Sequence, residues 1–135
     1  MFTVEQIKQA HSKVKTGVEF PAYIEDIKEL GVISYETYVA DGHTDYFGTA
    51  NYRTTNPAKY DTLPIAEKSD PEQFKAYLKA HQQGKTDYIT FCNDCARTGV
   101  EKWKVCLEEM TCTYFDQAGN NLLTEKIPSI NREGA

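Results

Sequence analysis

A chain of 135 residues with 40% hydrophobic and 26% charged residues has the balance of one folded domain large enough to bury a core. Nine tyrosines, six phenylalanines and a tryptophan argue against disorder, and a net charge of −5 without a basic tract argues against a nucleic-acid partner. No apolar run approaches the roughly 20 residues of a membrane-spanning helix, and MFTVEQIKQAHSKVK lacks the layout of a secretion signal, which places the four cysteines in the cytoplasm as thiols.

The first helix is expected from Thr3, which can form a capping box with Gln6, and carries Ile7, Ala10, His11 and Val14 on its inner stripe until Gly17 stops it. A second helix runs from Pro21 to Leu30, with Phe20, Tyr23, Ile24 and Ile27 on its stripe and Gly31 at its end. Val32 to Ala40 reads as a strand, Asp41-Gly42 as a hairpin turn and Thr44 to Phe47 as a second strand. Gly48 to Tyr60 reads as loop, and Tyr60 to Ala66 as a short third strand that Pro64 confines to an edge or keeps off the sheet.

Asp70-Pro71 opens a third helix, striped with Phe74, Tyr77, Leu78 and His81 and ended by Gly84. Tyr88, Phe91, Cys92 and Cys95 mark a fourth helix that Gly99 stops. The alternation Trp103, Val105, Leu107 predicts a strand, Thr111 to Phe115 another, and Leu122 to Ile127 a last one after the turn Ala118 to Asn121. The tail from Asn131 to Ala135 is expected to fray.

The two passes are one pass repeated. A shift of 68 residues lays Phe20 to Gly48 on Tyr88 to Asp116, matching Asp26 with Asp94, Gly31-Val32 with Gly99-Val100 and Tyr46-Phe47 with Tyr114-Phe115. A shift of 67 lays Thr3-Val-Glu-Gln-Ile-Lys on Asp70-Pro-Glu-Gln-Phe-Lys. The expected fold is therefore α+β: a helix-helix-strand-strand unit duplicated within one domain, about 3–66 and 70–130, with one antiparallel sheet and helices mainly on one face.

Cys92-Asn-Asp-Cys95, with Cys106 and Cys112, suggests a metal or redox site. The repeat weakens it, because Cys92 and Cys95 align with Ile24 and Ile27, and buried cysteine packs as a small hydrophobe. His11 and His81 lie on inner helix stripes and read as satisfied core histidines. His43, beside Asp41 and Asp45, has the residues of an acid–base pair but sits where a solvated hairpin tip is commoner. Tyr38, with Tyr46 and Tyr114, would decorate the sheet face opposite the helices, where tyrosine gives rigid contact area.

FPAYIEDIKELGV, TDYITFCNDCARTGVEKWKV and TCTYFDQAGNNLLTEKIP resemble a domain-of-unknown-function family of small bacterial and prophage-encoded proteins, some labelled phage envelope protein. The most specific parts are the G-V-x-x-W run at Gly99 and the Gly-Asn turn before E-x-I-P. The resemblance implies a compact cytoplasmic α+β protein and transfers no catalytic residue. A soluble acidic domain does not suit a structural role in an envelope.

Three functional readings follow. The leading one is a non-enzymatic binding or interaction domain without cofactor or metal. Its protein or small-molecule partner would sit on the open sheet face or in the groove between the halves, at Tyr38, His43, Tyr46 and Tyr114. The second is a small enzyme or metal protein built on His43 with Asp41 and Asp45, or on the cysteines. The third is a self-associating homodimer that pairs the edge strand near Leu122 to Ile127.

Overall fold

Helix, helix and three strands follow one another twice along the chain. The computed structural model describes residues 2–14 and 17–128, and the tail expected to fray lies outside them. Helices α1 (Val4–His11) and α2 (Phe20–Leu30), with a 3-10 turn at Gly17–Glu19 between them, lead into β1 (Ser34–Tyr38), β2 (Thr44–Phe47) and β3 (Arg53–Asn56). Helices α3 (Pro71–Gln82) and α4 (Tyr88–Arg97) lead into β4 (Val100–Cys106), β5 (Thr111–Asp116) and β6 (Asn121–Lys126). The strands form one antiparallel sheet in the order β3-β2-β1-β4-β5-β6.

Local chemistry sets the helix ends. Thr3 Oγ1 accepts from the Gln6 N–H at 3.2 Å while Gln6 Oε1 accepts from the Thr3 N–H at 2.9 Å, the reciprocal capping box. Asp70 and Asp87 cap α3 and α4 by accepting from Gln73 N–H and Thr90 N–H. Helix α1 stops at His11, short of the expected Gly17, because Lys13 and Val14 donate to the carbonyls three residues back and tighten the last turn.

The third strand is not where the sequence suggests. It lies at Arg53–Asn56, inside the stretch expected as loop, while residues 60–66 form no strand. Ala50 and Asn51 both adopt positive φ (58° and 63°) and turn the chain back on β2. RTTN carries no apolar residue and its turn uses an alanine, so neither periodicity nor turn chemistry announces it. The segment around Pro64 instead straps the two halves together: Leu63 N–H donates to the Ala40 carbonyl and Ala66 N–H to the Ala96 carbonyl.

At the centre β1 and β4 pair with Glu36 opposite Lys104, the residue 68 positions on that the repeat matches with it. The pairing continues past both strand ends symmetrically, through Val39 N–H to the Glu101 carbonyl and Leu107 N–H to the Ile33 carbonyl. The sheet thus has the pseudo-twofold arrangement that a duplicated unit requires.

One face is buried under the helices. Tyr35 and Thr37 on β1, Tyr46 on β2, Trp103 and Val105 on β4, and Cys112 and Tyr114 on β5 all lie there, packed with Ile24, Ile27, Phe74 and Phe91. This corrects the placement of Tyr46 and Tyr114, expected on the open face. Tyr46 sits opposite Tyr35 and Tyr114 opposite Trp103, and residues directly opposite in a ladder share a face. The other face keeps Tyr38, half-exposed, among charges: Lys102 donates to Glu36 at 2.9 Å and lies over the rings of Tyr38 and Phe115.

Gly31 and Gly99 hold matching positions after α2 and α4, with φ of 108° and 84°. A Cβ on Gly31 would meet only the Phe2 ring at 3.8 Å, whereas one on Gly99 would come within 2.7 Å of Ser69 Cα. Both alanine variants are expected to lose about 1 kcal/mol to backbone strain, with Gly99→Ala losing roughly 2 kcal/mol more because main chain must move. Equal urea-unfolding free energies for the two variants would contradict this.

Candidate functional site

Between the helix pairs of the two halves, the sheet centre floors a groove with a cavity volume of about 110 Å³. Its walls are matched by the repeat: Phe20 and Tyr88, Tyr23 and Phe91, Tyr35 and Trp103, Thr44 and Cys112, Tyr46 and Tyr114 all line it in pairs. Above it, His11 at the end of α1 and Val14 just beyond that helix stand against Leu78 and His81 of α3, so each half contributes one histidine and one aliphatic residue in swapped positions.

The symmetry fails in polarity. On the first-half wall the Tyr23 and Tyr46 hydroxyls lie 3.4 Å apart and those of Thr37 and Thr44 lie 2.9 Å apart. Thr44 lies one strand over from Thr37 and two residues from Tyr46, so the two hydroxyl pairs sit on the same face of β1 and β2. The matching residues of the second half are Phe91 for Tyr23, Val105 for Thr37 and Cys112 for Thr44. The first-half wall is therefore richer in hydroxyls, from Tyr23, Tyr35, Thr37, Thr44 and Tyr46, while the second half keeps those of Tyr88 and Tyr114 among Phe91, Trp103 and Cys112. Burial raises the pKa of Tyr23, Tyr35 and Tyr114, so these hydroxyls stay protonated at neutral pH.

Two histidines overlook this floor, and both are uncharged at neutral pH. His11 sits edge-on to Tyr23 and Tyr88, one ring from each half, at 5.2 and 5.6 Å. Burial, aided by the Lys59 charge, lowers its pKa from 6.5 to about 4. His81 stacks flat on Phe91 at 4.4 Å, with Nδ1 3.1 Å from the Thr86 carbonyl. A carbonyl only accepts, so the proton is on Nδ1 and Nε2 is left as an acceptor. Burial lowers its pKa as well. At the rim, the Lys59 ammonium lies 5.7 Å over the Tyr88 ring. At the far end Glu125 accepts from Gln82 Nε2 at 2.8 Å.

The four residues expected as a site are divided between the two faces. Tyr46 and Tyr114 are buried walls of the groove. Tyr38 and His43 lie on the opposite side, their rings stacked 4.4 Å apart. His43 Nδ1 is 2.6 Å from Asp41 Oδ1, which also accepts from the His43 backbone N–H at 3.0 Å, so the pair staples the β1–β2 turn. Burial pushes the Asp41 carboxyl up, but the bonds from His43 outweigh it and leave its pKa below the ordinary value. Asp45 does not join them, for it accepts from Arg53 at 3.2 Å and Thr55 at 2.7 Å.

The cysteines do not converge. Cys92 and Cys95 are fully buried on the inner side of α4, Cys112 is in the groove floor, and Cys106 is on the open face. Burial pushes the Cys92 and Cys95 thiols up and that of Cys112 to about 12. Among the described residues no three histidine, cysteine or acidic side chains form a metal-holding group.

The sequence reading missed Tyr23, Thr37, Thr44 and Lys59. The available signal was the loss of hydroxyls between aligned halves, Tyr23 against Phe91 and Thr37 against Val105.

Comparison with known proteins adds little chemistry. A family model described as a protein of unknown function (DUF1398) matches residues 8–126, a span that includes both walls of the groove. No curated protein matches the chain. Among the described residues no helix is long and apolar enough to cross a membrane.

Two measurements check this geometry. The fold holds His11 neutral, so below pH 6.5 the unfolded chain takes up a proton that the folded chain refuses, and stability falls as pH drops from 6.5 toward 4. Relative to wild type, His11→Phe should lose on the order of 3 kcal/mol of the stability difference between pH 7 and pH 4. An unchanged pH dependence in urea unfolding would refute the assignment. A thiol-reactive disulfide reagent applied to native protein should modify Cys106 promptly and the other three only at the rate of opening, with peptide mapping as the check.

Proposed function

The chain belongs to this family of unknown function, and from that premise we propose that it is a non-enzymatic binding domain that holds a small amphipathic molecule in the groove between its halves. The observation that carries this reading is an aromatic-lined groove between the halves whose first-half wall is richer in hydroxyls than its second-half wall. Small-molecule sites have this make-up: concave, mostly apolar, with a few convergent polar groups. An apolar cavity of about 150 Å³ takes up benzene; at about 110 Å³, this open groove suits one ring with the rest of the ligand reaching the rim. Among the described residues no carboxylate is hydrogen-bonded to either groove histidine: His11 faces tyrosine rings, and His81 a ring and the carbonyl and hydroxyl of Thr86, with Asp87, Asp94 and Glu19 acting on it through charge alone.

The same reading takes the chain as one domain built from two duplicated units, about 3–66 and 70–130, whose meeting creates the groove. Source and address, bacterial or prophage-encoded and cytoplasmic, rest on resemblance and composition. A homodimer through β6 would use the edge position of that strand. The short Asp41–His43 contact supports a second reading, an acid–base site at the hairpin tip, although Asp45 is committed to Arg53 and Thr55.

Trp103 is the only tryptophan and lines the groove, so its fluorescence reports occupancy directly. One-ring probes such as benzyl alcohol should shift its emission with a millimolar affinity, about −4 kcal/mol. Val14→Phe, at a half-buried position on the lip, should block the probes while circular dichroism stays unchanged and Trp103 remains the only tryptophan. Unmoved Trp103 emission across the probes, or undiminished binding by the Val14 variant, would sink the reading.

A further inference from the structure

We propose that the occupant of the groove is a ring carboxylic acid, bound with its ring against the second-half wall and its carboxylate at the Lys59 rim; this rests on the binding reading above. The first support is the charge layout. Lys59 approaches the groove from the loop after β3, its ammonium over Tyr88. Among the described residues no carboxylate lies within ion-pair distance of it.

The second support is an adjoining recess that shares His11 and Lys59 with the groove. Lys8 and Lys59 both line it, with Ser12 and Asn56 and no acidic side chain. In a chain of net charge −5, two ammonium groups facing one recess without an acid between them form a local anion site. Lys8, in the last turn of α1, also answers the carbonyls of that helix end. Lys59 belongs to no helix, so its place at the rim has no such explanation.

The third support is direction. A carboxylate at this rim lies on the first-half side, where Asn56 of the shared recess stands opposite Thr44 in the β2–β3 ladder and Thr44 is paired with Thr37. At the opposite end stand the Glu125 carboxylate and Lys126, whose ammonium is taken up by the Glu109 carbonyl, so an acid placed the other way round meets a carboxylate and no free cation contact of the Lys59 kind. The ring of such a ligand falls between Tyr35 and Trp103 on the floor and Phe91 on the second-half wall, where offset aromatic contacts are available. An ammonium–carboxylate contact at a partly dry rim is charge-assisted and stronger than a neutral hydrogen bond.

The test compares matched acids and amides, benzoate with benzamide and nicotinate with nicotinamide, by Trp103 fluorescence and calorimetry at low ionic strength. Wild type should bind each acid roughly tenfold more tightly than its amide. Lys59→Met keeps the stem and removes the charge, and should bring acid and amide to equal affinity. Lys59→Arg should keep most of the preference. Equal binding of acid and amide by wild type, or a preference that survives in Lys59→Met, overturns the carboxylate assignment and leaves the groove reading standing, since both compounds still bind. If no member of any pair moves Trp103, both readings fall together.

Discussion

The antiparallel contact between β1 and β4 is the constraint on which the rest depends. It joins two three-stranded meanders, each with its own helix pair, into one sheet. Without it each half would present a long unpaired edge and half a core. With it, Tyr35 and Trp103 are brought close on the same floor, and the helix pairs are set to either side of the axis. Two helix pairs placed symmetrically over one sheet cannot both cover its centre. The groove is the space they leave.

A pseudo-symmetric groove would be featureless if both walls were alike. Here the halves differ where they meet. Thr37 against Val105 is a near-isosteric exchange that swaps a hydroxyl for a methyl, and Tyr23 against Phe91 removes an OH from the same frame. The backbone symmetry is kept and the polarity is not. A ligand in such a space has a defined direction, because burying an unmatched hydroxyl against an apolar group is costly. Paired hydroxyls on one side and uncharged histidines above keep the groove free of unpaired buried charge. The charges are left to the rims.

The open sheet face follows a different logic. Its side chains are tied to each other: Lys102 to Glu36, Arg53 and Thr55 to Asp45, His43 to Asp41. Asp45 is buried and the other carboxylates are half-buried. The pairing leaves few free charges along the ladder. Tyr38 belongs to this network through its stack on His43, and is therefore separated from Tyr46 and Tyr114 by the thickness of the sheet.

What was legible in the chain was what short-range chemistry dictates. Thr3 with Gln6, Asp70 with Pro71, and the glycines at 31 and 99 mark helix ends because caps and left-handed turns have few alternatives. The repeat was legible because both halves reuse those marks, and it led to the α+β sheet with its helices on one side. The strand at Arg53–Asn56 was not legible, since an edge strand of arginine, threonine and asparagine has no apolar period. Nor was the site. Tyr46 and Tyr114 carry the same period as any strand residue, and only the register with Tyr35 and Trp103 decides which face they join. A one-residue change in pairing would have moved them to the other side. Sequence by itself determined the four helices, five of the six strands and their repeated order, because caps and periodicity act within a few residues. The tertiary structure decided which side chains meet, because register and helix placement depend on pairings across the sheet, within each hairpin and across the β1–β4 contact where Glu36 faces Lys104.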